Sequence, residues 1–186
     1  RELNTYEDRR TQAAAQVDDA SGQALSALEN ASSAGAVRTA TRNWRTNWDA
    51  VREEVSRLAA QYASVSATAV GYFQHLDAQT SNITDDDLRA EEHERNDEIH
   101  ASWRSASSDA TQALRTLRAN LQAGDDLYVT MLNASLRSGF ETHVQRLRTV
   151  SENTKSALEE LQAITEEGES LVGSLSGQNA PDEQDE

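Results

Sequence analysis

The stretch VRTATRNWRTNWDAVREEVSRLAAQYASVSATAVGYFQHL, from Val37 to Leu76, decides the fold. Within it Val37, Thr41, Trp44, Trp48, Val51, Val55, Leu58, Tyr62, Val65, Ala69, Tyr72 and Leu76 follow at alternating steps of four and three. That spacing keeps apolar side chains on one stripe of a helix through more than five heptads. Arg, Glu, Asp, Ser and Gln fill most of the other positions, so the opposite face is wet. At ~1.5 Å per residue the helix runs about 60 Å.

The same periodicity extends on both sides. Leu3, Tyr6, Ala13, Val17, Ala20, Ala24 and Leu28 give a first helix over 5–31, with Thr5 and Asp8 as its cap. Ser32-Ser33-Ala34-Gly35 is a short link, which makes the first two helices antiparallel neighbours. The second helix covers 36–79. Thr84 followed by Asp85, Asp86 and Asp87 reads as a capping box with carboxylates at the positive end of the helix dipole, and Ile83 with Leu88 as a hydrophobic staple. A third helix over 84–137 carries Ile99, Trp103, Ala106, Ala110, Leu114, Leu117, Leu121, Tyr128 and Met131. Gly124-Asp125-Asp126 interrupts its propensity, but the seam stays in phase, so the helix is expected to continue. Its polar first turns, 85–98, are expected to project beyond the bundle or to sit at its wet end. Ser138-Gly139, with Glu141 completing a capping box, marks the last turn. A fourth helix over 139–174 carries Phe140, Val144, Leu147, Val150, Leu158, Leu161, Ile164 and Leu171.

The reading is an all-α, elongated, antiparallel up-and-down bundle with heptad packing, one domain over 1–175 and a disordered acidic tail over 176–186. Composition agrees. The only proline is Pro181, and the few glycines are expected mostly at helix ends. Large apolar residues are few among the 37% hydrophobic residues, which suits a thin bundle.

Charge bounds the partners. The net charge of −15 repels phosphate backbones and anionic headgroups, so nucleic acid is not an expected partner. Lys155 is the one lysine against sixteen arginines, a balance that fits either a salt-adapted organism or an ordinary acidic protein of a GC-rich genome. The absence of cysteine removes disulfides and thiolate chemistry. No stretch approaches the ~20 apolar residues of a membrane span.

Candidate sites weigh poorly against plainer readings. His93, Asp97 and His100 lie at i, i+4 and i+7, a spacing with which a helix can hold a divalent metal. No second Glu-x-x-His motif accompanies them, and a solvated, charge-laced helix is the favoured reading, with no metal or cofactor expected. Trp44, Trp48 and Trp103 could stack on a ligand, but at seam spacing they read as core. Ser138 and His143 have no evident acid partner for a triad, and no glycine-rich phosphate loop is present. The sequons at Asn30, Asn82 and Asn133 match chance expectation in a Ser/Thr-rich chain.

Two segments carry a family resemblance: Thr80-Ser81-Asn82-Ile83 through Leu88-Arg89, and Leu127-Tyr128-Val129-Thr130-Met131-Leu132-Asn133-Ala134. In that order, with a polar helix between them, Trp48 to Leu171 resembles a family of bacterial envelope proteins of unknown function predicted to be long-helix lipoproteins. The family's Lys-His pair in the second segment is Thr130-Met131 here. The resemblance implies an envelope or periplasmic location and a removed N-terminal lipid anchor. It supplies no activity and no site residues.

The functional expectation is a non-enzymatic envelope or scaffold module that meets a protein partner or self-associates, with the Ala-rich face of the first helix as the expected contact. The alternative is a helical-bundle sensor domain with a polar ligand pocket near Arg42, Arg45 or Arg115. Because the −15 charge opposes compaction and salt screens it, the melting temperature is expected to rise with sodium chloride. Melting curves at low and high salt check this, and an unchanged or lower value in high salt counts against the charge argument.

Overall fold

The computed structural model describes residues 1–134 and 141–178, with side chains described to 134 and from 142 to 173. Five helices follow one another: α1 (Glu2–Glu29), α2 (Ala34–Thr80), α3 (Asp86–Ala134), α4 (Glu141–Glu160) and α5 (Gln162–Gln178), with no strand among the described residues. α4 and α5 are two halves of one column, so the architecture is a four-column helical bundle. α1 packs on α2 and on the α4–α5 column, and α3 packs on α2 and on the same column.

Cross-helix pairs fix three of the four neighbouring interfaces as antiparallel. Between α1 and α2, Glu2 meets Gln61, Arg9 meets Glu54 and Gln23 meets Asn47. Between α2 and α3, Trp48 meets Leu121, Tyr62 meets Ser107 and Thr80 meets Asn96. Between α1 and the fourth column, Tyr6 meets Leu161, Asp18 meets Lys155 and Glu29 meets Arg148. The α2 seam is buried from Val37 to Ala69, with only Tyr62 half-exposed, and Phe73 joins it beyond. Tyr6, Ala13, Val17, Ala20, Ala24 and Leu28 are buried in α1. The Ala-rich face of α1 is therefore spent inside the chain, which removes it as the expected surface for self-association.

The ends differ from expectation where tertiary contacts outbid local signals. α1 begins at Glu2 rather than at Thr5 and has no side-chain cap. Its first turn is held instead by α2: the Glu2 carboxylate accepts from Gln61 at 2.6 Å and from Ser64 at 3.0 Å. Those bonds, Ser64 foremost, keep that carboxyl below its usual range. α2 begins at Ala34, with Ser33 as N-cap accepting from the Ala36 amide at 3.2 Å.

The fourth helix, expected unbroken over 139–174, is interrupted at Leu161. Side-chain donors from α1 reach its backbone there. The Tyr6 hydroxyl donates to the Leu161 carbonyl at 3.0 Å and Arg10 to the Leu158 carbonyl at 3.5 Å. A donor inserted at a helix carbonyl competes with the ladder and breaks it. Tyr6 is fully buried, and burial pushes its phenol upward, so the group acts as a neutral donor. α5 continues to Gln178, into the start of the expected tail. The Ser138-Gly139 turn, the Ser138–Glu141 box, Ser135 of the third sequon and residues 179–186 lie outside the described residues.

The glycines correct another expectation. Gly22, Gly71, Gly124, Gly168 and Gly173 lie inside helices, not at their ends. Two of them admit a neighbour. Trp44 and Trp48 stack with ring centroids 4.6 Å apart, and Trp48 lies where a β-carbon on Gly124 would sit. The indole N–H of Trp48 donates to the Leu121 carbonyl at 3.1 Å, and that of Trp44 to the Gly124 carbonyl at 3.4 Å. α3 thus runs through Gly124 without a break because the glycine's missing side chain is filled by an indole. Gly168 accommodates Leu3 in the same way.

Gly124→Ala is expected to cost about 1–3 kcal/mol by overpacking, despite the gain in helix propensity. Gly71→Ala, at an exposed position with nothing near its β-carbon, is expected to stabilise by about 0.5–1 kcal/mol. Denaturant melts of the two variants check the contrast, and equal signs would contradict it.

Candidate interaction surface

α1 stops where its Leu3 meets Gly168, at the level of Val65 and Ala69 on α2 and Trp103 on α3. Beyond that level α2 and α3 continue to their connecting turn as a hairpin, and α5 runs on from Gly168 to Gln178, with Leu171 and Val172 beside Tyr72 and Trp103. About ten further residues of α2 give an overhang of roughly 15 Å. The projecting segment expected from 85–98 is this hairpin.

Its turn is built locally. Asp85, not Thr84, caps α3: one carboxylate oxygen accepts from the amides of Asp87 and Leu88, both at 3.0 Å, and its carbonyl accepts from Arg89. Asp wins because its carboxylate reaches two free amides at the positive end of the helix. Arg89 also donates to the Ile83 carbonyl at 2.8 Å and pairs with Asp86. At the hairpin's centre Asn96 donates to Thr80 Oγ1 at 2.9 Å, and both residues are buried. Lower down, Phe73 sits 4.1 Å from the His100 ring and 6.5 Å from Trp103.

One side of the hairpin is open. Tyr72, Leu76, Ile83, Leu88 and Ile99 line a cavity of about 470 Å³, with Thr80, Asn96, Glu92 and Arg95. Leu88 is 55% exposed. Tyr72 also lines a second, mostly apolar cavity of about 400 Å³ at the mouth of the four-helix part, with Leu3, Val65, Ala69 and Trp103. The two cavities meet at Tyr72, and together they are called the groove below. The reading from sequence placed Tyr72, Leu76 and Ile99 on the seam but did not see that α1 stops short of them, which leaves them half-buried.

The sequence-derived candidates are distributed differently. His93 and Asp97 are exposed, while His100 turns against Phe73 with Nε2 3.9 Å from the Asp77 carboxylate. No group of three or more His, Asp or Glu side chains converges among the described residues. Trp44, Trp48 and Trp103 are buried. Arg42 and Arg115 are exposed, and Arg45 is held by Asp125 at 2.9 Å and by Asp49 at 3.2 Å, with its guanidinium 5.6 Å from the Tyr128 ring centre. Ser138 lies outside the described residues, and burial together with Arg146 draws the His143 imidazole below its ordinary value.

Two carboxylates that the sequence did not mark are the electrostatic anchors of the body. Asp125 receives Arg45 and Arg52 from α2. Glu54 is 1% exposed and receives Arg9 from α1 at 3.1 Å and Arg57 at 2.8 Å. Both hold helices together and neither faces the groove. No helix among the described residues is long and apolar enough to cross a membrane. No family model, curated protein or solved structure matches the chain.

Replacing a buried ion pair by packed apolar groups is close to neutral, whereas stripping its partners strands a charge. Glu54→Leu is therefore expected to stay within about 1 kcal/mol of the parent chain. Arg9→Met/Arg57→Met is expected to lower the melting midpoint further than Glu54→Leu does. Thermal melts at neutral pH check the order, and the reverse order would show that Glu54 hydrates readily.

Proposed function

We propose that the chain is a non-enzymatic helical interaction module of the bacterial cell envelope, which presents the α2–α3 hairpin to a protein partner. The observation that carries this reading is the open apolar groove along the overhanging hairpin, through Tyr72, Leu76 and Ile99. Apolar surface that continues a buried seam past the end of its covering helix is surface for another helix. The envelope location rests on the resemblance of the Thr80–Arg89 and Leu127–Ala134 segments, and carries with it a lipid anchor removed from the N-terminal side.

A second reading, an extracytoplasmic sensor domain, is favoured by the cavity of about 400 Å³ at the bundle mouth, a volume within the range of small-molecule sites. Its lining is mostly apolar, with Arg1 and Glu2 among it, and does not include Arg42, Arg45 or Arg115, the arginines expected from the sequence. The ligand class would be an uncharged apolar molecule.

A photo-crosslinking residue at Leu88, compared with one at Arg118 on the four-helix body, separates the readings in cells of the source organism. The interaction module is expected to give a discrete protein adduct from position 88 and none from 118. No adduct from 88, together with a melting temperature raised by apolar small molecules, would replace this reading with the sensor.

A further inference from the structure

Resting on the reading of the hairpin as an interaction surface, we infer that its groove takes a basic amphipathic α-helix of the partner. The floor sets the shape. Tyr72, Leu76 and Ile83 on the α2 side and Leu88 and Ile99 on α3 form a trough between two antiparallel helices. Lower in the molecule α1 packs on α2 and on the fourth column, and its Leu3 reaches the near end of the trough beside Tyr72. The lining beyond that point holds no residue of α1, and a helix laid along this part of α2 continues the α1–α2 packing. About three turns cover the overhang at 5.4 Å per turn.

The rim sets the charge. Glu92 lines the trough, and helical spacing puts Glu91 and Glu98 along the same edge of α3, both exposed. Asp85, Asp86 and Asp87 close its far end. From Asp77 to Glu98 there are nine acids and two arginines. Both arginines are already engaged: Arg95 is held by Glu92 at 2.5 Å, and Arg89 by Asp86 and the Ile83 carbonyl. A second copy of this chain would bring the same nine carboxylates against these, and like charge opposes that pairing. Lysines or arginines flanking an apolar stripe complement both rim and floor.

The test uses the full chain and a synthetic Leu/Lys peptide with leucines at helical i, i+3, i+4 spacing. A peptide of the same composition in scrambled order is the control. Calorimetry at low salt is expected to show one-to-one binding of the amphipathic peptide only, weakening as sodium chloride is raised. Leu76→Ser/Ile99→Ser is expected to weaken binding by about tenfold or more, with circular dichroism unchanged. Glu91→Gln/Glu92→Gln/Glu98→Gln leaves the apolar floor intact and is expected to flatten the salt dependence.

Equal binding of the scrambled peptide, or unchanged binding by both variants, overturns the inference. So does a dimer in sedimentation velocity that Leu76→Ser/Ile99→Ser dissolves, because the occupant is then a second copy. A discrete adduct from position 88 alongside no peptide binding refutes the basic helix while leaving the interaction module standing. No adduct from 88 refutes the module itself.

Discussion

Trp48 against Gly124 is the contact on which the rest of the structure depends. The indole occupies the space of the absent side chain and its N–H binds the Leu121 carbonyl. Steric fit and a directed bond together leave one register between α2 and α3. The register set there holds as far as Tyr62, which reaches Ser107. Nearer the turn it shifts by seven residues, and Thr80 reaches Asn96. The hairpin is straight and long because the one glycine that could have broken α3 is filled from across the interface.

A second constraint decides where the four-helix part ends. α1 is tied to the fourth column by buried and partly buried polar groups. Tyr6 binds the Leu161 carbonyl, and Glu7 accepts from Arg10 and Thr165. The Arg10 bond foremost, then Thr165, hold the Glu7 carboxyl below its usual range despite the opposing effect of burial. That depression means these bonds stabilise the fold above the ordinary carboxylate pKa and are lost as pH falls through the lowered one. Leu3 seated at Gly168 closes this belt. α2 and α3 pass beyond it, so the overhang results from two independent registers, one set by Trp48 and the other by Tyr6.

Much of this was legible in the spacing of apolar residues. The seam from Val37 to Leu76 gave the longest-range order, and from Val37 to Ala69 it is buried, Tyr62 apart, as a four-and-three pattern requires. The overhang could be read from the polar turns between Asp85 and Glu98. What escaped were effects that need two distant segments at once. Nothing near Leu161 announces a break, since its cause, Tyr6, lies 155 residues away. Gly124 reads locally as a weakness and is a fitted socket. Glu54 sits between Val51 and Val55 as an ordinary surface acid would, and only the approach of α1, carrying Arg9, buries it. The groove was illegible for the same reason: periodicity shows that a face is apolar, not whether a neighbour reaches it. The metal spacing of His93, Asp97 and His100 is real on a wheel, but His100 is claimed by Phe73.

The distribution of charge separates the molecule into two electrostatic regimes. In the body, acids are matched by cations across helix boundaries: Glu54 with Arg9, Asp125 with Arg45 and Arg52, Asp18 with Lys155, Glu29 with Arg148. These pairs are mostly at the surface and each contributes little; outside the segment from Asp77 to Glu98 the chain keeps a net −8, spread over 164 residues. The segment from Asp77 to Glu98 carries a net −7 of the chain's −15, with His uncharged. It is also the segment with the least apolar covering. Repulsion among its carboxylates and incomplete burial of Leu76, Ile83 and Ile99 act on the same section of the hairpin, whose order is therefore borrowed by propagation from the body below. A cationic helix in the groove would relieve both at once, since the same contact that covers the apolar floor brings positive charge to the rim. The region of lowest intrinsic stability and the region of greatest unmet complementarity coincide, and binding there would order the hairpin at little cost to the Trp48-pinned body.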